Sequence, residues 1–382
     1  MSLSVFSFLM AVLWCNIFII FLSIMRKQTG FIAHFSVAPL LLFLGVCLFR
    51  LCFVFELPNA IVIQSQYMFP AIIDGLTMGI FSIMGYELSI LDILLFLWIA
   101  GAVFFVVKYV IEAKRLKNIL RMKTVLKNQC AIKIMNEVLS HSKKKPKVEL
   151  VELAGIPSPM VSGYFHPTIY LPAIPFTEDE LRCILLHELT HFLNKDAWIK
   201  LFMHFICVIF WWNPMVHILK GNLVHILELR CDAKLISQLS EEEKFKYLES
   251  ITMVLRYQLS SRQALQPTMD VATTSVLVNA GQMSNVEQRF HLILEKDYAK
   301  KYQPMVYGVY FLITMLFLVS NLFVIQPVFS CEDQETYAIT PTAAYLLDNH
   351  DGTYSLYVNE EFVSVIGEEY LLNEPFTSLP VK

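Results

Sequence analysis

Residues Leu181 to Asp196 read L-R-C-I-L-L-H-E-L-T-H-F-L-N-K-D. Side chains four apart on a helix share a face, so His187 and His191 can hold a single metal ion. Glu188, beside the first histidine, reaches the water that such a metal carries, and the set describes a zinc hydrolase site. A catalytic zinc takes a third protein ligand and leaves its fourth position to water. The expected donor is Glu228 in Glu228-Leu229-Arg230-Cys231-Asp232, where Val224, Leu227, Leu235 and Ile236 recur at helical spacing. His225 shares that helix face and is the rival third ligand. Asp232, one turn beyond Glu228, is expected to receive the free ring N–H of a zinc-bound histidine and fix its tautomer. Asp196 has either the same task or none beyond a helix-end surface position. Cys231 is read as packing.

These side chains need elements to hold them. Thr177-Glu178-Asp179-Glu180 is a capping box flanked by Phe176 and Leu181 as a hydrophobic staple, which predicts a helix from about Glu178 carrying both histidines in its third and fourth turns. Asn194, Lys195 and Asp196 interrupt that helix with polar groups, so the site faces water.

The ordered set has further members: Ser158-Pro159, then Gly163-Tyr164-Phe165-His166-Pro167-Thr168-Ile169-Tyr170-Leu171-Pro172 ahead of the H-E-L-T-H sequence, and Trp212-Asn213-Pro214 between it and E-L-R-C-D. In that order and with Asp196 five residues past His191, the set resembles the BlaR1/MecR1 family of membrane-embedded gluzincin metallopeptidases. The likeness spans residues 1–325 in architecture and 147–292 in motifs. It implies an integral membrane α-helical protein with four transmembrane helices and a cytoplasmic α+β gluzincin metalloprotease domain, with zinc as cofactor. It implies a cytoplasmic protein or peptide substrate, such as a transcriptional repressor. Thr168, Ile169 and Tyr170 then become the edge strand on which an extended peptide adds by main-chain hydrogen bonds. Residues 281–290 resemble in position the loop where family members cut themselves, which puts Gln288 and Arg289 in the cleavage region. Sensors of the family carry a basic pair there, and here Arg289 is alone.

Composition agrees with a membrane setting. The chain has 382 residues, 56% hydrophobic and 16% charged, with a mean hydropathy of +0.54, too apolar for an ordinary soluble domain. Apolar runs predict spans at 3–24, 35–55, 90–111 and 305–325. Arg26 and Lys27 follow the first, and Lys114, Arg115, Lys117, Arg121, Lys123 and Lys127 follow the third, whereas residues 56–89 hold no Lys or Arg. By the positive-inside rule both termini are expected outside and the catalytic domain in the cytoplasm, and with the family resemblance the expected location is a bacterial plasma membrane. The divisions are 1–112 with three spans, 113–303 catalytic, 304–326 the fourth span, and 327–382 an acidic outer tail.

Four details complete the reading. Arg50, near the end of the second span, is expected to snorkel. The apolar stretch Leu201 to Leu219 is expected as a helix on the catalytic core or at the membrane interface, with Trp211 and Trp212 at headgroup depth, instead of a fifth span. Residues 113–140 continue the third span as a basic helical lead. Thr353 to Val358 and Phe362 to Ile366 alternate as a hairpin that needs something to pack on, and the tail carries no S-x-x-K for a penicillin-binding sensor. Nothing in the net charge of −3 points to nucleic acid, the eight cysteines form no disulfide framework, and a homo-oligomer stays open. The readings are a zinc endopeptidase that transduces a signal, a catalytically silent metal-containing scaffold, and an intramembrane site-2-type protease, the last disfavoured by Asn194-Lys195-Asp196.

Overall fold

The computed structural model describes residues 5–53, 61–65, 68–83, 86–121, 124–125, 129–141, 145–265, 285–295, 303–327, 344–349, 352–358, 361–367, 371, 376 and 379–381. Helix α1 (Val5–Lys27) is apolar until it closes on Arg26 and Lys27. It is followed by α2 (Thr29–Phe35) and α3 (Ala38–Cys52). Ser36 sits at φ 69° and Pro39 opens α3, so the expected second span is instead a pair of helices bent by 104°. After β1 (Ile61–Ser65), α4 (Met68–Thr77), β2 (Gly79–Ile83) and β3 (Tyr86–Ser89) comes the 32-residue α5 (Ile90–Arg121). Among the described residues α1 and α5 are long and apolar enough to cross a membrane, with the α2–α3 pair a third candidate.

The basic lead after α5 is not one rigid helix: α5 ends at Arg121 and the strand β4 (Thr124–Val125) precedes α6 (Gln129–His141). Then come β5 (Glu149–Leu153), β6 (Met160–Ser162) and β7 (Thr168–Pro172). The sheet order is β4-β5-β7-β6, with β5 and β7 parallel and β6 antiparallel to β7. Helices α6 and α7 (Glu178–Leu193) pack on it through Ala131, Ile134, Ile169, Leu171, Leu185 and Leu189. Thr177 caps α7 with the full capping box, its side chain accepting from the Glu180 backbone and the Glu180 side chain accepting from that of Thr177.

The apolar stretch 201–219 falls into two helices, α8 (Asp196–Ile209) and α9 (Pro214–Ile236), meeting at a corner that Asn213 caps. Both helices pack on α7, and α9 also reaches the apolar helices. Leu219, Leu223 and Ile226 of α9 share one buried cluster with Phe18 and Leu22 of α1 and Leu40 and Phe43 of α3. At the corner Trp211 lies against α5, where a Cβ added to Gly101 would stand 2.3 Å from the indole. The indoles of Trp98 and Trp211 donate to the Ile209 and Trp98 carbonyls. Charged α10 (Glu241–Leu265), α11 (residues 285–294) and α12 (Gln303–Val319) follow. At 17 residues α12 is shorter than the run that predicted it, because the chain turns at 320–322 into β8 (Phe323–Pro327).

By packing, Met1–Ile63 and Asp74–Gln326 form one unit, which takes in both the apolar helices α1, α3 and α5 and the helices α7 and α9. Arg50 does not snorkel: it is 3% exposed, turned into the protein. The second unit, Gln64–Ile73 with Pro327–Lys382, holds a three-stranded antiparallel sheet of β9 (Ala344–Asp348), β10 (Thr353–Val358) and β11 (Glu361–Gly367). The expected hairpin gains its packing partner from β9 and Leu379: Leu346 of β9 and Leu379 are buried together with Leu356 and Val358 of β10. Cys331 lies outside the described residues, and the cysteines within them are free.

Candidate active site

The third and fourth turns of α7 present His187 and His191 on one face, their Nε2 atoms 3.0 Å apart. Glu228, from α9, brings Oε2 to 3.4 Å from His187 Nε2 and Oε1 to 3.5 Å from His191 Nε2. Donors held at the usual bond lengths around a tetrahedral zinc stand roughly 3.3 Å from one another. Three convergent donors thus have the spacing of a shared cation. Glu188, 9% exposed, lines the same cavity of about 600 Å³.

What lies behind the rings fixes their tautomers. His191 Nδ1 is 2.6 Å from Asp196 Oδ2. Asp196 reaches back because Lys195, at φ 60°, turns the chain sharply between α7 and α8, and Arg230 of α9 grips its other oxygen. His187 Nδ1 meets the Tyr247 hydroxyl of α10 at 2.8 Å, and that hydroxyl donates to Asp232 Oδ1 at 2.6 Å. Asp232 therefore does not receive a ring N–H directly: its Oδ1 is 3.8 Å from His187 Nδ1, with Tyr247 interposed. With both Nδ1 atoms donating, both Nε2 atoms carry bare lone pairs that face each other and a carboxylate. That arrangement calls for a cation or a proton between them.

His191 is shifted toward its protonated form. Burial alone would lower its pKa, but the bonds to Asp196 and Glu228 outweigh it and push it up to about 10. Burial would raise the Glu228 carboxyl, yet the two histidines and then Arg289 hold it well below the usual range.

Cys231 offers a competing donor set. Together with His187 and His191 it could place three ligand atoms within 4.8 Å of one another. Its Sγ, however, lies 3.5 Å from His187 Nδ1, the nitrogen already engaged by Tyr247, and donates to the His187 carbonyl at 3.4 Å. Burial, then Asp232 and Glu228, push its thiol well up, so it stays neutral where Glu228 is charged. Glu228 is the better fit. His225 is engaged elsewhere, with Nε2 2.8 Å from Gln288 Oε1, and burial pulls it down to about 4 despite that bond.

Two expectations are corrected. Thr168, Ile169 and Tyr170 are not at an edge: β7 is paired on both sides, by β5 and β6, leaving no free main-chain groups for a peptide. The edge is β6, whose Met160 and Val161 line the cavity with Tyr164. Gln288 and Arg289 are not in an open loop. They lie in α11, where Gln288 is 6% exposed and donates to the Arg26 carbonyl at 2.9 Å. Arg289 donates to both oxygens of Asp232, at 2.6 and 2.9 Å, and Nη1 lies 3.5 Å from Glu228. A peptide bond inside this helix cannot enter a protease without unwinding; residues 281–284 lie outside the described residues.

Tyr247 and Arg289 therefore join the site from helices far along the chain. Arg289 was singled out for another reason, and no spacing rule ties Tyr247 to the histidines.

The profile of a family described as BlaR1 peptidase M56 matches residues 81–293. Regulatory protein BlaR1 of Bacillus licheniformis is 28% identical over 156 residues, 40% of this chain and 26% of that protein. Regulatory protein BlaR1 of Staphylococcus aureus is 26% identical over 162 residues, 40% of this chain and 28% of that protein. The methicillin resistance mecR1 protein of Staphylococcus aureus is 26% identical over 168 residues, 43% of this chain and 28% of that protein. The match spans little more than a quarter of the length of these curated relatives.

Proposed function

Since the chain belongs to the BlaR1 peptidase M56 family, we propose that it is a zinc-dependent membrane endopeptidase that transduces a signal by cutting a cytoplasmic regulatory protein. The convergence of His187 Nε2, His191 Nε2 and the Glu228 carboxylate carries the reading. These three would hold the zinc, with Asp196 and the Tyr247–Asp232 pair keeping the imidazoles in their ligating tautomer. Bound there, zinc would polarise a scissile carbonyl and acidify a water. Glu188 takes the proton of the attacking water and delivers it to the leaving amine. The edge of β6 aligns an extended substrate by main-chain hydrogen bonds. Support for a regulatory role comes from relatives that bear the names of regulatory and resistance proteins. A transcriptional repressor is the substrate class that this kinship favours.

Four spans, formed by α1, the α2–α3 pair, α5 and α12, put both termini outside. The basic residues after α1 and along the end of α5 orient the catalytic elements to the cytoplasm of a bacterium.

Zinc content by mass spectrometry and proteolysis, both on the detergent-purified chain, test this. Wild type should hold one zinc; Glu228→Ala should lose it, Cys231→Ala should keep it, and Glu188→Gln should keep zinc but not cut. Zinc lost from Cys231→Ala and retained by Glu228→Ala would transfer the site to the cysteine set.

A further inference from the structure

A buried cation unused by the catalytic site stands at the other end of the membrane helices. Arg50 is in the last turn of α3, about 18 Å along that helix from Ala38. The opposite end of this bundle, at Arg26, is bonded to Asn222 of α9 and Asn285 of α11. Arg50 is 3% exposed, covered by protein alone. Its Nη2 donates to the Ser320 carbonyl at a long 3.4 Å, while Nε and Nη1 have no partner.

Ser320 and Asn321, where the chain leaves α12, are 0% and 5% exposed. Asn321 Nδ2 donates to the Phe317 carbonyl at 2.7 Å, which only the nitrogen can do, so the orientation of the carboxamide is settled. Its Oδ1 is left without a partner. Two kinds of unmet demand stand close in the chain: a positive charge with spare N–H donors that reaches the Ser320 carbonyl, and, on the next residue, an amide oxygen that lacks a donor. Turning Arg50 onto Asn321 would meet one hydrogen bond and leave the charge uncompensated. An unpaired charge held out of water is strongly unfavourable, and among the described residues no carboxylate pairs with this one.

We propose that Arg50, Ser320 and Asn321 form a binding site for a phosphate oxyanion that also carries a hydrogen-bond donor. The planar guanidinium takes the phosphate oxygens, and Asn321 Oδ1 takes the hydroxyl or ammonium hydrogen. A phospholipid headgroup and free hydrogenphosphate share this chemistry. The site does not depend on the peptidase reading, since none of its residues touches the zinc ligands.

The test is thermal unfolding of the full chain, stripped of lipid in dodecyl maltoside, with chloride as the ionic-strength control. Inorganic phosphate, phosphatidylglycerol and phosphatidylcholine are titrated separately; the last has a phosphate but no donor hydrogen. The expected result is a saturable rise in Tm, with half-saturation about tenfold lower for phosphatidylglycerol than for phosphatidylcholine. Arg50→Met should abolish the rise, Arg50→Lys should weaken it, and zinc content should stay unchanged. An equal response to inorganic phosphate identifies a soluble anion, and a response to lipid alone identifies a headgroup; both support the site. The same rise in Arg50→Met overturns it. Should that variant not fold, wild type decides: no saturable rise, or no preference for phosphatidylglycerol or inorganic phosphate over phosphatidylcholine, overturns it as well.

Discussion

The nitrogens that His187 and His191 turn away from the cavity decide what the inward ones can do. Asp196 acts on His191 directly, at 2.6 Å, whereas Asp232 acts on His187 through the Tyr247 hydroxyl. Tyr247→Phe deletes that bridge and strands a buried ring N–H, so zinc affinity should fall by about one to two orders of magnitude, read by competition with a chelator. Unchanged affinity would reduce Tyr247 to packing. A second outcome follows from the proton on His191. Its pKa in the metal-free protein, about 10, lies above the ordinary 6.5. The protonated ring therefore stabilises the metal-free fold fully below about pH 6.5, and that contribution is lost as pH rises through about 10. Zinc bound as proposed would have to expel this proton, so apparent affinity should climb about tenfold per unit between roughly pH 7 and 9. A flat affinity profile would contradict the shift. His187, Glu188 and His191 were legible together because helical spacing ties them to one face, and Glu228, on α9, could be singled out only through the separate E-L-R-C-D stretch. Tyr247 was not: it stands on a separate helix, and its role exists only once α10 packs on α7.

Among the elements, the capped helix α7 was readable from its first turn, because a capping box is a local bond pattern. Strand order was not readable, since alternation along a strand says which face is buried and nothing about its neighbours. This is why β7 could be taken, on the resemblance, for the substrate strand while the short β6 holds the edge. Gly163 follows β6 at φ +111°, and a Cβ there would meet the His166 carbonyl oxygen at 2.1 Å. Gly163→Ala should cost about 1–3 kcal/mol and lower Tm, with turnover reduced through the displaced edge. Gly155, at φ +84° with nothing within 4 Å, supplies the control: Gly155→Ala bears the backbone strain without the clash and should be milder. Equal losses in the two variants would count against a crowded turn. The break at Ser36 and Pro39 escaped the hydropathy reading, which averages over a window that a single left-handed residue scarcely changes.

On the scale of the whole molecule, the membrane character was plain from composition, but the boundary drawn at residue 112 does not coincide with a packing boundary. Hydropathy separates chain segments, whereas α9 belongs to both parts: Glu228 and Asp232 near one end, Leu219 and Leu223 in the cluster with α1 and α3 near the other. A fragment of residues 145–295 would expose that apolar face and should aggregate or require detergent when measured by size-exclusion chromatography. A monodisperse fragment that binds zinc in plain buffer would show that the catalytic elements stand alone.

The corner between α8 and α9, seated with Trp211 against Gly101, has one more implication. A bilayer that thins or thickens tilts the helices that cross it. On the proposed reading, such a tilt would pass through Trp211 to the corner that leads into α9, the helix that carries Glu228, so the spacing of the three donors would respond to bilayer thickness.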